Sequence, residues 1–195
     1  FVSPVGPYYK NSGMAVISLA VSKFDRAAPN GTGKYKAGAN YAGGLLATLN
    51  AQDLGANEAL YLDSAQNRYI DEAGSANIVI FTKDQKLITP SSEAILPSIT
   101  RRSVMELAES ELSLPTEARP IELRAEFANF QEMAACGTAA VIAPVGKIWF
   151  DNDWRTVFQD GESVGPIMSE LYELLVGIQR GEKEDKFGWL YNIDF

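Results

Sequence analysis

The sequence predicts an α+β fold: one compact domain in which strands and helices mix without strict alternation. Apolar residues recur at three-to-four spacing in residues 40–54, 100–111 and 166–178, which marks three amphipathic helices. Between the first two lie four short strand-like runs separated by turn residues, a pattern that suggests an antiparallel meander rather than βαβ units. The 195 residues, 46% hydrophobic and 22% charged, suffice for one sizeable core, and no Pro/Gly/Ser-rich linker divides them.

The elements follow in order. Pro4, Gly6 and Pro7 punctuate an extended opening segment, and a chain that starts Phe1-Val2-Ser3 without Met reads as a fragment or a processed product. Met14 to Phe24 is rich in Ala, Val, Ile and Leu without a helical stripe, so it predicts a buried strand, and Pro29-Asn30-Gly31 predicts a turn. From Asn40 to Leu54, Tyr41, Leu45, Leu46, Leu49 and Leu54 form a helical stripe, with Gly55 as its stop signal. The strand-like runs are 59–63, 68–71, 77–82 and 86–89, broken at 64–67 and 83–85. Val104, Leu107 and Ala108 define the helix over 100–111, with Thr100 at its cap or first turn. A strand is expected at 119–124, a short helix at 126–133 and strands at 140–145 and 147–150. Gly165-Pro166 opens the last helix, which carries Ile167, Leu171, Leu174, Leu175 and Ile178 and stops at Gly181.

Composition removes whole classes of function. A net charge of −8 offers no basic face for a phosphate backbone, so nucleic acid is excluded as a partner. The single Cys136 forms no internal disulfide, and with no histidine in the chain there is no zinc-site spacing, so no metal is implied. The same absence removes Ser-His and Cys-His nucleophiles and leaves acid-base work to Lys, Glu, Asp or Tyr. Apolar runs such as Ala139 to Val145 are too short to span a bilayer, and a cytoplasmic protein without a membrane partner is the expectation.

Spacing alone makes Lys34 and Lys36 a solvated pair and Glu72 an exposed carboxylate at a strand end. Their contexts say more. Lys36-Ala37-Gly38-Ala39-Asn40-Tyr41 resembles the segment that carries the Schiff-base lysine of branched-chain aminotransferases, with Lys36 and not Lys34 in the matching position. Glu72-Ala73-Gly74-Ser75-Ala76-Asn77, Leu87-Ile88-Thr89 and Leu96-Pro97-Ser98-Ile99-Thr100-Arg101 together resemble the extended signature of the class IV (fold-type IV) aminotransferases. Val79 departs from the aromatic that the family often carries there. Cys136-Gly137-Thr138-Ala139-Ala140 resembles the family's Gly-Thr-Ala turn. Gly165-Pro166, Ile178-Gln179, Gly181 and Lys186-Phe187-Gly188-Trp189 resemble the closing segments of the branched-chain type.

The resemblance implies a pseudo-barrel of strands flanked by helices and pyridoxal 5'-phosphate as cofactor. It makes Lys36 the imine-forming lysine, a role that requires the amine to be neutral part of the time. Glu72 becomes the carboxylate facing the ring nitrogen, Leu96 packs on the ring, and Tyr41 reaches the phenolic oxygen. Ile99 and Thr100, opening a helix, receive the phosphate together with Thr138, while Thr138 and Ala139 receive the substrate carboxylate. Cys136 reads as a small packing residue. The implied reaction is transamination of Leu, Ile and Val with 2-oxoglutarate, within branched-chain amino acid biosynthesis, by a homodimer. Residues 1–195 would be its C-terminal cofactor-binding domain, with an N-terminal domain that supplies a phosphate-binding arginine lying elsewhere. A D-amino acid aminotransferase or 4-amino-4-deoxychorismate lyase shares the same positions, and a non-catalytic binding domain that kept the fold is the alternative of another class.

Overall fold

The computed structural model describes residues 14–191 and Ile193; the opening segment through Pro4, Gly6 and Pro7 lies outside these residues. Among the described residues nine strands form one mixed sheet. They are β1 (Ile17–Val21), β2 (Glu58–Leu62), β3 (Ile70–Ala73), β4 (Asn77–Thr82), β5 (Leu87–Pro90), β6 (Thr116–Arg119), β7 (Phe130–Gly137), β8 (Val141–Phe150) and β9 (Asp153–Thr156). Their spatial order is β3-β2-β1-β8-β7-β4-β5-β6, with β9 on β8. Most pairings are antiparallel; β1 runs parallel to both β2 and β8, and β5 parallel to β6. Strand β8 joins the halves, since Val141 to Pro144 pair with β7 while Val145 to Trp149 pair with β1. The result is a curled half-barrel flanked by helices, the α+β pseudo-barrel expected.

The helices are α1 (Gly38–Ala42), α2 (Leu45–Asp53), α3 (Ile99–Leu112), α4 (Leu123–Glu126) and α5 (Pro166–Gln179). Several expectations need correction. The four runs between 59 and 89 are not one meander: β2–β3 and β4–β5 are antiparallel pairs, but β3 and β4 stand at different positions in the sheet, separated by β2, β1, β8 and β7. The helix over 40–54 is two pieces, because Gly43 and Gly44 interrupt it. Its leucine stripe does not face the core; Ala47 and Ala51 are buried, whereas Leu45, Leu46, Leu49 and Leu54 are exposed. The strand expected at 119–124 lies earlier, at β6, and Leu123–Glu126 is helical. The helix expected over 126–133 ends in a 3-10 turn at Asn129, after which Phe130 begins β7. There, alternation buries Met133 and Ala135 on one face and Ala134 and Cys136 on the other, a period of two that overrides the short helical stripe.

Both faces of the sheet are covered. Ile78 and Ile80 of β4 point into the barrel interior with Leu60, Ile17 and Ile148, while Val79 and Phe81 point outward to Val104 and Leu107 of α3 and Leu171 and Leu175 of α5. The smaller residue at Val79 is thus fully enclosed beneath the helices. A third cluster, Ala20, Ala47, Ala51, Ala59 and Tyr61, seats α2 by close alanine packing. No helix among the described residues is long and apolar enough to cross a membrane.

Candidate active site

The loop that carries Lys36 is built by turns over residues 29–34 and anchored by one buried amide. Asn40 donates to the carbonyls of Thr32 (2.7 Å) and Tyr35 (2.9 Å) and accepts from the Thr32 hydroxyl (2.7 Å), so the chain on either side of Lys36 is fixed. Lys36 Nζ lies 3.1 Å from the Tyr41 hydroxyl and 5.0 Å from the centroid of its ring. Lys34 points elsewhere, into an exposed ion pair with Glu93 at 2.8 Å. Lys36 is itself exposed. Gly33 is where this loop meets the next: a Cβ there would stand 2.7 Å from Ala94 Cα.

The second component is a buried carboxylate. Glu72, near the end of β3, is 4% exposed. Its Oε2 accepts from Asn77 Nδ2 at 2.5 Å, and its Oε1 lies 2.5 Å from Arg26 Nη2 and accepts weakly from the Leu96 amide at 3.4 Å. Burial pushes the Glu72 carboxyl up to about 7, against the pull of the Arg26 guanidinium, the Leu96 amide and Asn77. A group balanced in this way can share a proton with a partner across the neutral range. Arg26 also donates to the carbonyls of Gly33 (2.9 Å) and Ala94. Next to Glu72, Asp71 accepts from the Ser92 hydroxyl at 2.8 Å, which further fixes the loop before Leu96.

The third component is an anion-receptive helix end. Of the two places expected for Thr100 it takes the first turn, as the second residue of α3, and the cap is Ser98, whose hydroxyl accepts from the Arg101 amide at 3.2 Å. The first amides of a helix have no intrahelical acceptors, so those of Ile99 and Thr100 remain on offer, with no acid in the first turn to occupy them. Ile99 has its side chain in solvent at 66% exposure, and Leu96 is half-buried. Thr138 and Ala139 stand exposed in the turn between β7 and β8. Register brings that turn to the same end of the sheet, since Cys136 pairs with Asn77, and Gly137 lies against Ser75 and Ala76. Val141 closes the turn with φ of 56°, a conformation costly for a β-branched residue. Cys136 is wholly buried and its thiol is pushed up to about 12, which fits a packing residue and not a reactive one.

Direct contacts therefore join Lys36 with Tyr41, and Glu72 with Leu96. Thr100 and Thr138 stand on neighbouring elements of the same sheet end without a hydrogen bond between them among the described residues. A cavity of about 680 Å³ opens on the side of Arg26, Asn40, Tyr41, Tyr61 and Gly74, and its wall includes neither Lys36 nor Thr100. The sequence reading missed Arg26, Asn40 and Asn77. The last two lie inside the quoted signatures, but Arg26 stands before a turn with no pattern that singles it out.

The donor set has the chemistry of one ligand class: an amine, a carboxylate titrating near neutrality, a phenol, and open amides at a helix end. Comparison with known proteins agrees. The family model described as amino-transferase class IV matches residues 2–148. The branched-chain-amino-acid aminotransferase of Helicobacter pylori is 43% identical over 197 residues, covering 99% of this chain and 56% of that protein. That of Haemophilus influenzae is 41% identical, covering 100% of this chain and 57% of its own length. Among solved structures, the Escherichia coli branched-chain amino acid aminotransferase superposes with a TM-score of 0.84 at 33% identity, covering 98% of this chain and 60% of that one. The branched-chain amino acid aminotransferase of Thermobaculum terrenum, solved in its PLP form, gives 0.73 at 29% identity, over 86% of this chain and 52% of that one. The chain spans about half the length of the curated relatives it matches.

Proposed function

Because this chain belongs to the class IV aminotransferases, we propose that the protein it forms part of transfers amino groups between branched-chain L-amino acids and 2-oxo acids, with pyridoxal 5'-phosphate held here. One observation carries the reading: Glu72, in the family's signature, is a buried carboxylate poised near neutrality and framed by Arg26, Asn77 and the Leu96 amide. The residues fit the cofactor. Glu72 would face its ring nitrogen, Leu96 its ring and Tyr41 its phenolic oxygen. The Ile99 and Thr100 amides at the head of α3 would take its phosphate together with Thr138. The unpartnered Arg26 Nε and Asn77 Oδ1, both buried beside Glu72, are further polar atoms in the wall of that site.

When bound, pyridoxal phosphate supplies an electron sink, and the protein has to supply orientation and proton transfer. Lys36 Nζ would be the group that holds the cofactor, and its amine would carry the proton to and from the substrate α-carbon. Tyr41, 3.1 Å from that nitrogen, keeps the amine aimed. Glu72 would keep a proton at the ring nitrogen. The Thr138 hydroxyl and Ala139 amide orient the substrate carboxylate. The exposure of Lys36 and Tyr41 fits a site completed by a preceding domain and by a second copy, so the reading includes a homodimer in the cytoplasm, with 2-oxoglutarate as amino acceptor. Residues 1–195 are the C-terminal, cofactor-binding portion of that assembly.

The test is an absorbance spectrum of the full-length protein before and after borohydride, then peptide mass mapping and turnover with Leu, Ile, Val, D-Ala and aminodeoxychorismate. The expected result is a bleached visible band, cofactor mass on the Lys36 peptide, and turnover of the branched-chain L-amino acids. A cofactor fixed on another lysine removes Lys36 from its role, and preferential turnover of D-Ala or aminodeoxychorismate moves the enzyme to another branch of the family.

A further inference from the structure

Resting on that reading, we infer that Arg26 is a positioning residue for the ring-facing carboxylate: it holds Glu72 as a carboxylate and, through the same guanidinium, ties the lysine loop to the segment leading into α3. The geometry is a three-way clamp. Arg26 Nη2 lies 2.5 Å from Glu72 Oε1, donates to the Gly33 carbonyl at 2.9 Å, and donates to the Ala94 carbonyl. Gly33 is three residues before Lys36, and Ala94 is two before Leu96, whose amide also reaches Glu72. One side chain thus touches the carboxylate on β3 and the backbone of the two loops that lead to Lys36 and to α3. Both ionic side chains are only 5% exposed.

Burying a guanidinium is costly unless acceptors offset the lost water, and here Nη2 alone faces the Glu72 carboxylate and the Gly33 and Ala94 carbonyls. The other groups around Glu72 do not replace it. Asn77 from β4 is neutral; Asp71, next on β3, pushes the carboxyl toward its protonated form; Arg101 from α3 acts without contact, its own guanidinium donating to the Pro90 carbonyl; and Cys136 from β7 carries a neutral thiol. Burial drives Glu72 toward protonation, and Arg26 is the strongest opposing influence. Without it, Glu72 holds its proton at neutral pH and cannot stabilise a protonated ring nitrogen.

The test uses the full-length protein, first without cofactor. Arg26→Gln, Arg26→Met and Arg26→Lys are compared with wild type, each against its Glu72→Gln counterpart as a blank, and the carboxyl stretch in infrared difference spectra reports Glu72 protonation between about pH 5 and 9. Arg26→Gln and Arg26→Met are expected to raise the Glu72 midpoint by about one unit or more. Arg26→Lys, the variant least disturbing to folding, is expected to leave the midpoint near wild type and to lose about tenfold in pyridoxal phosphate affinity, because the ammonium ends one bond short of the Nη2 position and cannot reach both loop carbonyls while it stays beside Glu72. Midpoints in the folded Gln or Met variant that superpose on wild type overturn the electrostatic role, and wild-type affinity in the Lys variant overturns the tie. Added cofactor then separates the two claims. No borohydride-sensitive band in wild type defeats the functional reading while the infrared comparison still stands.

Discussion

The two long helices, α3 and α5, meet the same problem at their N-termini and solve it oppositely. Neither has an acid in its first turn. At α5 the anion comes from the sheet: Glu132 of β7, 2% exposed, accepts from the amides of Ile167 (3.2 Å) and Met168 (2.9 Å). Pro166 needs no acceptor, and Gly165 leaves room, since a Cβ there would strike the Glu132 carboxylate. That helix end is filled from within. At α3 the Ser98 hydroxyl takes only the Arg101 amide, and the amides of Ile99 and Thr100 are left for something else. A positive helix end with an internal carboxylate is part of the scaffold; one without is available for a ligand.

The largest effect is expected from emptying the filled end. Glu132→Ala removes the acceptor of two buried amides and leaves them dry, which should cost about 3 kcal/mol of stability. Urea unfolding of the full-length protein measures it, and pyridoxal phosphate affinity of the folded fraction should be unchanged. A loss under about 1 kcal/mol would mean that water replaces Glu132 and that the two helix ends are less different than their geometry indicates.

A pH titration sharpens the same contrast. Burial raises the carboxyls of Glu132 and Glu72, the latter to about 7 from an ordinary 4.5. Each folded-state value lies above the unfolded one, so the folded protein keeps protons that the unfolded chain has released. The stability these groups contribute is therefore full below the ordinary value and is lost as pH rises through the raised ones, on the order of 3 kcal/mol from Glu72 by about pH 8. Glu132→Gln should flatten the part due to α5, and Glu72→Gln the part at the site. Stability that rises over this range would contradict the direction of both shifts.

How much of this was legible in the sequence depended on whether a local period or a long-range contact decided the outcome. The stripe of Val104, Leu107 and Ala108 marked α3, and Pro166 with Leu171 and Leu175 marked α5, because one face of each is buried by the sheet. The stripe of Leu45, Leu46 and Leu49 marked a helix but not its buried face, since Ala47 and Ala51 seat α2. The helix expected over 126–133 fails from Phe130 on, because eight residues carry too little period to distinguish the two structures, and pairing with β4 makes residues 130–133 strand. At the site, Lys36, Glu72, Thr100 and Thr138 stood out through motifs. Thr100 was expected at the cap or first turn of α3 and stands in the first turn, with Ser98 as the cap, and Arg26 was invisible because its three partners, Gly33, Glu72 and Ala94, come together only in the fold.

Making α3 resemble α5 is the next test. Ile99 is two-thirds exposed, so Ile99→Glu can be made without disturbing the core, and it brings an internal carboxylate to the open amides. Competition at that end should weaken pyridoxal phosphate by about tenfold and leave unphosphorylated pyridoxal unaffected, as read by fluorescence titration. Equal effects on both would show that the phosphate does not sit at this helix end.

The smallest effect concerns the cap itself. Ser98→Ala deletes a single side-chain acceptor, for the Arg101 amide, at a half-buried site where water can take part of its place, so about 1 kcal/mol of stability should be lost. The informative result is how that loss responds to ligand. If the Ile99 and Thr100 amides hold the phosphate, bound cofactor tethers the first turn of α3 by a route that does not involve Ser98, and the difference between variant and wild type should shrink when both are saturated with pyridoxal phosphate. No such ligand can act at α5, so Glu132→Ala should show the same loss with and without cofactor. A Ser98→Ala loss that persists undiminished in the saturated protein would make the head of α3 a scaffold element like its counterpart, and would move the phosphate toward Thr138.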